Sequence, residues 1–254
     1  MNAHQRIAII TGGSRGLGRN AAFKLAEAST DVVITYRSNR AEADNVVAQI
    51  RERGRRAAAL QLDVSNVSTF DSFAAELRAT LAQHWERDRF DFLVNNAGVG
   101  VRAPFAEITE AQFDELMNTH LKGVFFLTQK LLPLIADGGR ILNVSSGLAR
   151  FTLPGYSAYA AMKGGIEVLT RYLAKELGSR RISANVLAPG AIETDFSGGA
   201  LRNSAQLKAF VASQTALGRT GLPDDIGGVI AALLAPETGW INGQRIEASG
   251  GMFL

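Results

Sequence analysis

"RIAIITGGSRGLG", residues 6–18, starts as a short apolar, β-branched run and breaks into glycines. A run of that length reads as a buried strand. A segment of helical period, 17–28, follows directly. Strand, glycine loop and helix in that order make the first unit of a parallel α/β sheet. The loop aims backbone N–H groups and a helix N-terminus at one point, where a pyrophosphate binds well. Gly12 then allows the tight turn, Gly16 a close backbone approach, and Gly18 close packing of the helix. A glycine turn with no ligand shows the same spacing. Position at the first β–α junction favours the dinucleotide.

Six further short apolar runs lie at 31–36, 57–62, 90–95, 140–145, 181–187 and 244–249. Segments of helical period separate them, at 40–53, 66–85, 109–136, 157–178 and 223–235. This alternation predicts an α/β fold, with residues 1–254 forming a single doubly wound Rossmann domain. Its seven-stranded parallel sheet carries helices on both faces. The stretch 197–214 interrupts the alternation, and about 193–215 is expected to form a substrate loop or lid. Helix 109–136 is apolar around much of its circumference, which points to a subunit contact.

The end of the second strand reads "TYRS", where many dinucleotide folds place an acid for the ribose hydroxyls. Here it offers Arg37 and Ser38, and Asp31 stands at the opposite end. With Arg15 in the glycine loop, two guanidiniums suit a 2′-phosphate, so NADP(H) is favoured over NAD(H). "LDV" closes the third strand, where Asp63 can accept from an adenine amino group beside Val64, or act as a helix cap. "NNAG" closes the fourth. Ala97 and Gly98 let backbone approach a cofactor, and Asn95 can cross-link neighbouring loops.

Bulk composition excludes other classes. The 254 residues are 46% hydrophobic and 20% charged, enough for a sizeable core. With 27 Lys+Arg against 24 Asp+Glu, the net charge is only +3. No basic run is interleaved with aromatics, so no nucleic-acid partner is expected. "RERGRR", 51–56, reads as a solvated helix end. The absence of cysteine removes disulfides and thiolate metal sites, and no metal is expected. No apolar run reaches membrane-spanning length and no leader is legible, so a cytoplasmic protein without membrane partners is expected.

"TGGSRGLG", "NNAG", "NVSS" and "YAAMK", in this order and spacing, closely resemble the short-chain dehydrogenase/reductase family. The resemblance covers essentially the whole chain, including "PGAIETDF" (189–196) and "INGQRIEASGG". It implies hydride transfer between a nicotinamide and a carbonyl or secondary alcohol. By motif match, Tyr159 moves the proton, Lys163 tunes it and Ser146 binds the substrate oxygen. The family's serine stands thirteen positions before its tyrosine, which selects Ser146 over Ser145. Ser14, Leu17, Pro189, Gly190, Ile192 and Thr194 join the implied cofactor contacts. A homotetramer or homodimer is implied as well.

Residues i and i+4 of a helix share a face. Lys163 is therefore expected to lower the Tyr159 phenol below its usual value near 10 and to reach the nicotinamide ribose. One position departs from the family: His120 stands where an asparagine is usual. A ring in the proton relay is expected to titrate between about pH 5 and 8. The pocket walls read as Val99, Val101, Phe105, Leu148, Phe151, Leu153, Tyr156 and Phe196. That is a mostly apolar lining for a small carbonyl or alcohol, with Arg102 and Arg150 read as surface cations. A 3-oxoacyl-carrier-protein reductase is the alternative; only Arg180 and Arg181 offer a basic dock. A catalytically silent NADP-binding regulator is the alternative of another class.

Overall fold

Short β-branched runs buried on both faces satisfy their backbones in a parallel sheet, and that is where these runs lie. In the computed structural model, which describes residues 5–254, they form β1 (Ile7–Ile10), β2 (Asp31–Tyr36), β3 (Ala57–Gln61), β4 (Phe90–Asn95), β5 (Ile135–Val144), β6 (Ser183–Pro189) and β7 (Arg245–Ala248). The order is β3-β2-β1-β4-β5-β6-β7, with every pair parallel. Strand order reverses between β1 and β4, so a crevice opens there at the carboxyl ends.

Alternate residues of the strands feed two cores. Ile7, Ile9 and Leu93 pack under α3 (Phe70–Trp85), with Phe73, Leu77 and Leu81. Ala8, Ile10 and Ile34 pack under α1 (Gly16–Glu27) and α2 (Arg40–Glu52), with Ala22, Leu25, Val46 and Ile50. The sheet is thus doubly wound, as the sequence predicts.

Residues 109–136 do not form one helix. Helix α4 (Glu110–Met117), with a Thr109–Gln112 capping box, runs into a π turn at Asn118–Lys122, then α5 (Gly123–Leu131) and a 3-10 turn at Leu132–Leu134. Pro133 lacks the N–H a helix needs, and β5 begins two residues later, five before the expected start. The register shifts between the pairs Phe90–Ile135 and Phe92–Arg140, and Gly138 turns the intervening chain at φ 79°.

Helix α6 (Ser157–Glu176) covers β5 and β6. The excursion after β6 is more regular than its composition implies. A 3-10 turn at Phe196–Gly199 leads to α7 (Ala200–Asn203) and α8 (Ala205–Ser213), before α9 (Pro223–Leu234) packs on α1.

The 51–56 arginines are not simply solvated. Arg51 donates to the Ala57 carbonyl, Arg53 lies over the Phe23 ring, and Arg56 pairs with buried Asp31. They brace the amino end of the sheet, away from the crevice. Among the described residues, no helix is long and apolar enough to cross a membrane.

Candidate active site

The glycine loop sits at the β1 end of the crevice. Gly12 and Gly16 take left-handed φ values of 66° and 55°, which side chains disfavour. Helix α1 starts at Gly16 with no side-chain cap, leaving its first N–H groups to an external anion. Across the opening, a Cβ on Gly16 would lie 3.7 Å from Thr194, so the loop after β6 forms the facing wall. Arg15 and Arg37 are exposed, and among the described residues neither side chain has an ion pair or hydrogen bond. Two unpaired guanidiniums flanking an uncapped helix N-terminus fit a phosphorylated dinucleotide. The acid at the other end of β2, Asp31, is consumed by Arg56 and by the Trp85 indole at 2.8 Å.

Other expected contacts land differently. Asp63 is no cap of α3; its Oδ1 accepts from the Ser65 N–H at 2.9 Å and hydroxyl at 2.7 Å, holding the turn after β3. Val64 is buried beside it. Asn95 cross-links no loops. It is buried, and its amide donates to Thr128 at 3.1 Å and to Asn143 at 2.8 Å inside the fold. The loop clamp is Asn96, which donates to the Thr11 and Gly12 carbonyls, while the Thr11 hydroxyl accepts from the Asn96 and Ala97 N–H groups. Strand alternation was the available signal: if Asn95 points inward, Asn96 points to the other side. Pro189 ends β6, Gly190 bonds back to the Ala248 carbonyl, and Ile192 bridges to Gly221. Ser14, Leu17, Gly18 and Ser38 lie on the same loop-and-strand rim.

At the other end of the crevice, α6 presents Tyr159 and Lys163 on one buried face, 8% and 5% exposed. The Lys163 ammonium is 5.6 Å from the Tyr159 ring centroid and donates to the Val144 carbonyl at 2.7 Å. Burial lowers the lysine to about 7. Burial also pushes the phenol above 10, opposed by the neighbouring Ser146 hydroxyl. Burial thus moves the phenol opposite to the direction the spacing argument expects. Ser146 and Ser145 point apart. Ser146 Oγ accepts from the Leu148 N–H beside Tyr159, whereas Ser145 donates to Glu167 at 2.8 Å.

His120 reaches this cluster from the π turn, a device that shifts the face of a helix by one extra residue. Its ring stands edge-on to Tyr159, centroids 5.1 Å apart, and its Nε2 lies 2.7 Å from the Val99 carbonyl. Desolvation and the nearby lysine lower it to about 3, so it stays neutral across the interval where the sequence argument expects it to titrate. Gly98 makes room for it: a Cβ there would come within 2.7 Å of the imidazole. Val99, Val101 and Leu148 pack against the cluster of Leu116, Ala158, Tyr159 and Met162, and the Phe196 ring lies 5.9 Å from that of Tyr159. Phe105 is no wall, being 82% exposed. Phe151 instead meets Phe253 from the chain's end, at 5.0 Å.

Residues 12–253 match the family described as Enoyl-(Acyl carrier protein) reductase. The chain belongs to the short-chain dehydrogenase/reductase family. As a short-chain dehydrogenase/reductase it is an oxidoreductase. It is 34% identical, over 97% of its length and 91% of the relative, to a tetrahydroxynaphthalene reductase, PfmaG, of Pestalotiopsis fici. It is 35% identical to a 3-oxoacyl-[acyl-carrier-protein] reductase, FabG, of Staphylococcus aureus, over 97% of this chain and 98% of that one. Among solved structures, the angucycline C-6 ketoreductase LanV with bound NADP superposes at a TM-score of 0.93, with 34% identity over 98% of this chain and 95% of that one. The same ketoreductase has been solved with NADP and rabelomycin.

Proposed function

We propose that this enzyme is an NADP(H)-dependent ketoreductase that acts on a free, largely apolar ketone by a Ser146–Tyr159–Lys163 mechanism. The observation that carries the reading is the placement of those three residues in the same crevice as the unpaired Arg15 and Arg37. NADPH, when bound, would supply the hydride; the glycine loop and the α1 N-terminus would hold its pyrophosphate, and the two arginines its 2′-phosphate.

The Ser146 hydroxyl orients the carbonyl oxygen. Tyr159 donates its proton to that oxygen: burial keeps the phenol in its proton-bearing form, and the alkoxide left by hydride addition is a strong enough base to take it. Lys163, held near neutrality, resupplies it from one helical turn away. Val99, Val101 and Leu148, packed on the cluster that holds Tyr159, and the nearby Phe196 ring favour an apolar or aromatic ketone. LanV and PfmaG, whose names describe reduction of polycyclic aromatics, support that class.

The carrier-protein alternative keeps only the exposed Arg181 of its two-arginine dock. Arg180 is spent on Asp137 and on the Leu132 and Ile135 carbonyls. The silent-regulator alternative leaves the intact Ser146, Tyr159 and Lys163 unexplained. The exposed Phe125, Phe126, Val168 and Tyr172 on α5 and α6 form the subunit contact of a homodimer or homotetramer in this reading.

The test is NADPH consumption with a panel of aromatic ketones, quinones and a 3-oxoacyl thioester. Tyr159→Phe is expected to lower turnover on the best of them by about a hundredfold or more, with NADPH affinity unchanged. Turnover near wild type in that variant rejects the mechanism. A clear preference for the thioester restores the carrier-protein reading.

A further inference from the structure

Segment Ser145–Phe151 carries the serine of the proposed mechanism, and an alternating chain of charges fastens it from behind. Glu167 on α6 accepts from the Ser145 hydroxyl at 2.8 Å and, on the same oxygen, from Arg245 Nε at 2.8 Å. Arg245 on β7 also donates to Glu247 at 2.8 Å and reaches the Ser146 carbonyl at 3.4 Å. Glu247 also takes a two-pronged bond from Arg150, both contacts at 2.7 Å, and a further one from Ser249 at 2.6 Å. Arg150 then donates to the Met252 and Phe253 carbonyls at 2.9 and 3.2 Å.

The side chains of Glu167, Glu247 and Arg245 are only 14%, 18% and 23% exposed. The Arg150 side chain is 40% exposed, but its two-pronged bond to the more buried Glu247 fixes the orientation of both partners. Removing one member leaves a neighbouring charge with fewer partners and loosens the chain on that side. Its far end lies at Phe151, on which Phe253 packs and whose ring centroid is 5.4 Å from the Arg150 guanidinium.

We propose that Glu167, Arg245, Glu247 and Arg150 are positioning residues through which the last strand and the C-terminal residues set the place of Ser146 and Phe151 relative to Tyr159. The inference rests on the proposed Ser146–Tyr159 chemistry for its catalytic consequence, but the coupling is testable without it. The Ser146 hydroxyl favours the Tyr159 phenolate. Displacing the serine therefore raises the pH at which Tyr159 ionises. The other groups facing Tyr159 are Lys163 on α6, His120 on the π turn and Tyr156 at the start of α6, and the variants below leave all three in place.

The experiment compares wild type with Glu247→Gln and with Arg150→Met, the milder change, which leaves the Arg245–Glu247 pair intact. Amide hydrogen exchange, read with NADP+ bound, is expected to accelerate about tenfold in residues 145–151 and 250–254 of both variants, and to stay unchanged in the glycine loop 11–18. With 1-tetralol and NADP+ as the probe reaction, the pH midpoint of kcat is expected to move up by about half a unit or more. NADP+ affinity should change less than twofold. Unaltered exchange in 145–151 in a folded variant overturns the proposal. So does a loss of kcat with the midpoint unmoved, since that is mere destabilisation. If wild-type enzyme oxidises no probe alcohol and reduces no ketone, the proposed function fails on its own, and the exchange pattern still decides the coupling.

Discussion

His120 shows how burial changes what a residue type means. A histidine in a proton relay is expected to titrate near neutrality; this one is 1% exposed and held at about 3. Its value in the unfolded chain is 6.5. Between those values the unfolded chain binds the extra proton, so this group makes the fold lose stability as pH falls from about 6.5 toward 3. His120→Asn removes that contribution. The kcat–pH profiles of variant and wild type should superimpose between about pH 5 and 8, while the variant's acid unfolding midpoint moves lower. A flattened acid limb of kcat in the variant contradicts the neutral ring. Lys163 carries the same sign in another window. Its folded value of about 7 against 10.5 unfolded makes stability rise with pH across that interval. Lys163→Met should therefore raise Tm at pH 6, through roughly 1–4 kcal/mol of relieved burial, while turnover collapses. A lower Tm at pH 6 shows that the Val144 bond outweighs the desolvation.

Among the elements, the β1 loop was the most legible. Glycine spacing after an apolar run predicted the strand, the turn and the helix start to within about one residue, because that turn needs left-handed backbone whatever surrounds it. Arg37 at the end of β2 allows a clean test. Arg37→Asp should cut kcat/KM with NADPH by at least about tenfold and spare or improve NADH, through like-charge repulsion at the 2′-phosphate. A wild-type preference for NADH refutes the arginine argument. The 109–136 segment was the least legible. A single period of 3.6 residues cannot describe two helices joined by a π turn, since the extra residue rotates the apolar stripe of α5 relative to that of α4. What read as apolarity all round is partly that phase slip: Leu116, Leu127 and Leu131 are fully buried in the two halves.

Part of that apolar surface remains after the fold is complete. Phe125 and Phe126, in edge contact at 5.1 Å, are 44% and 38% exposed on α5, and Val168 and Tyr172 are 45% and 64% exposed on α6. In the proposed oligomer these residues would form the contact between subunits. Charging it with Phe125→Glu and Tyr172→Glu is expected to shift sedimentation at micromolar concentration toward the monomer. An unchanged mass in the double variant places the contact elsewhere.

Local chemistry carried the strand–helix alternation, the glycine turn, and the pairing of Tyr159 with Lys163 on one helical face. Each of these depends on backbone geometry or on neighbours within a few residues. Packing between distant segments decided the rest. It buried Asn95 and turned Asn96 onto the glycine loop, raised Tyr159 and lowered Lys163 by removing water from both, and silenced the titration of His120. It also brought Glu167, Arg245, Glu247 and Arg150 into one chain, although Arg150 and Glu247 stand 97 positions apart. No period or motif encodes such a meeting, because ionisation and ion pairing depend on the dielectric and the partners that folding supplies.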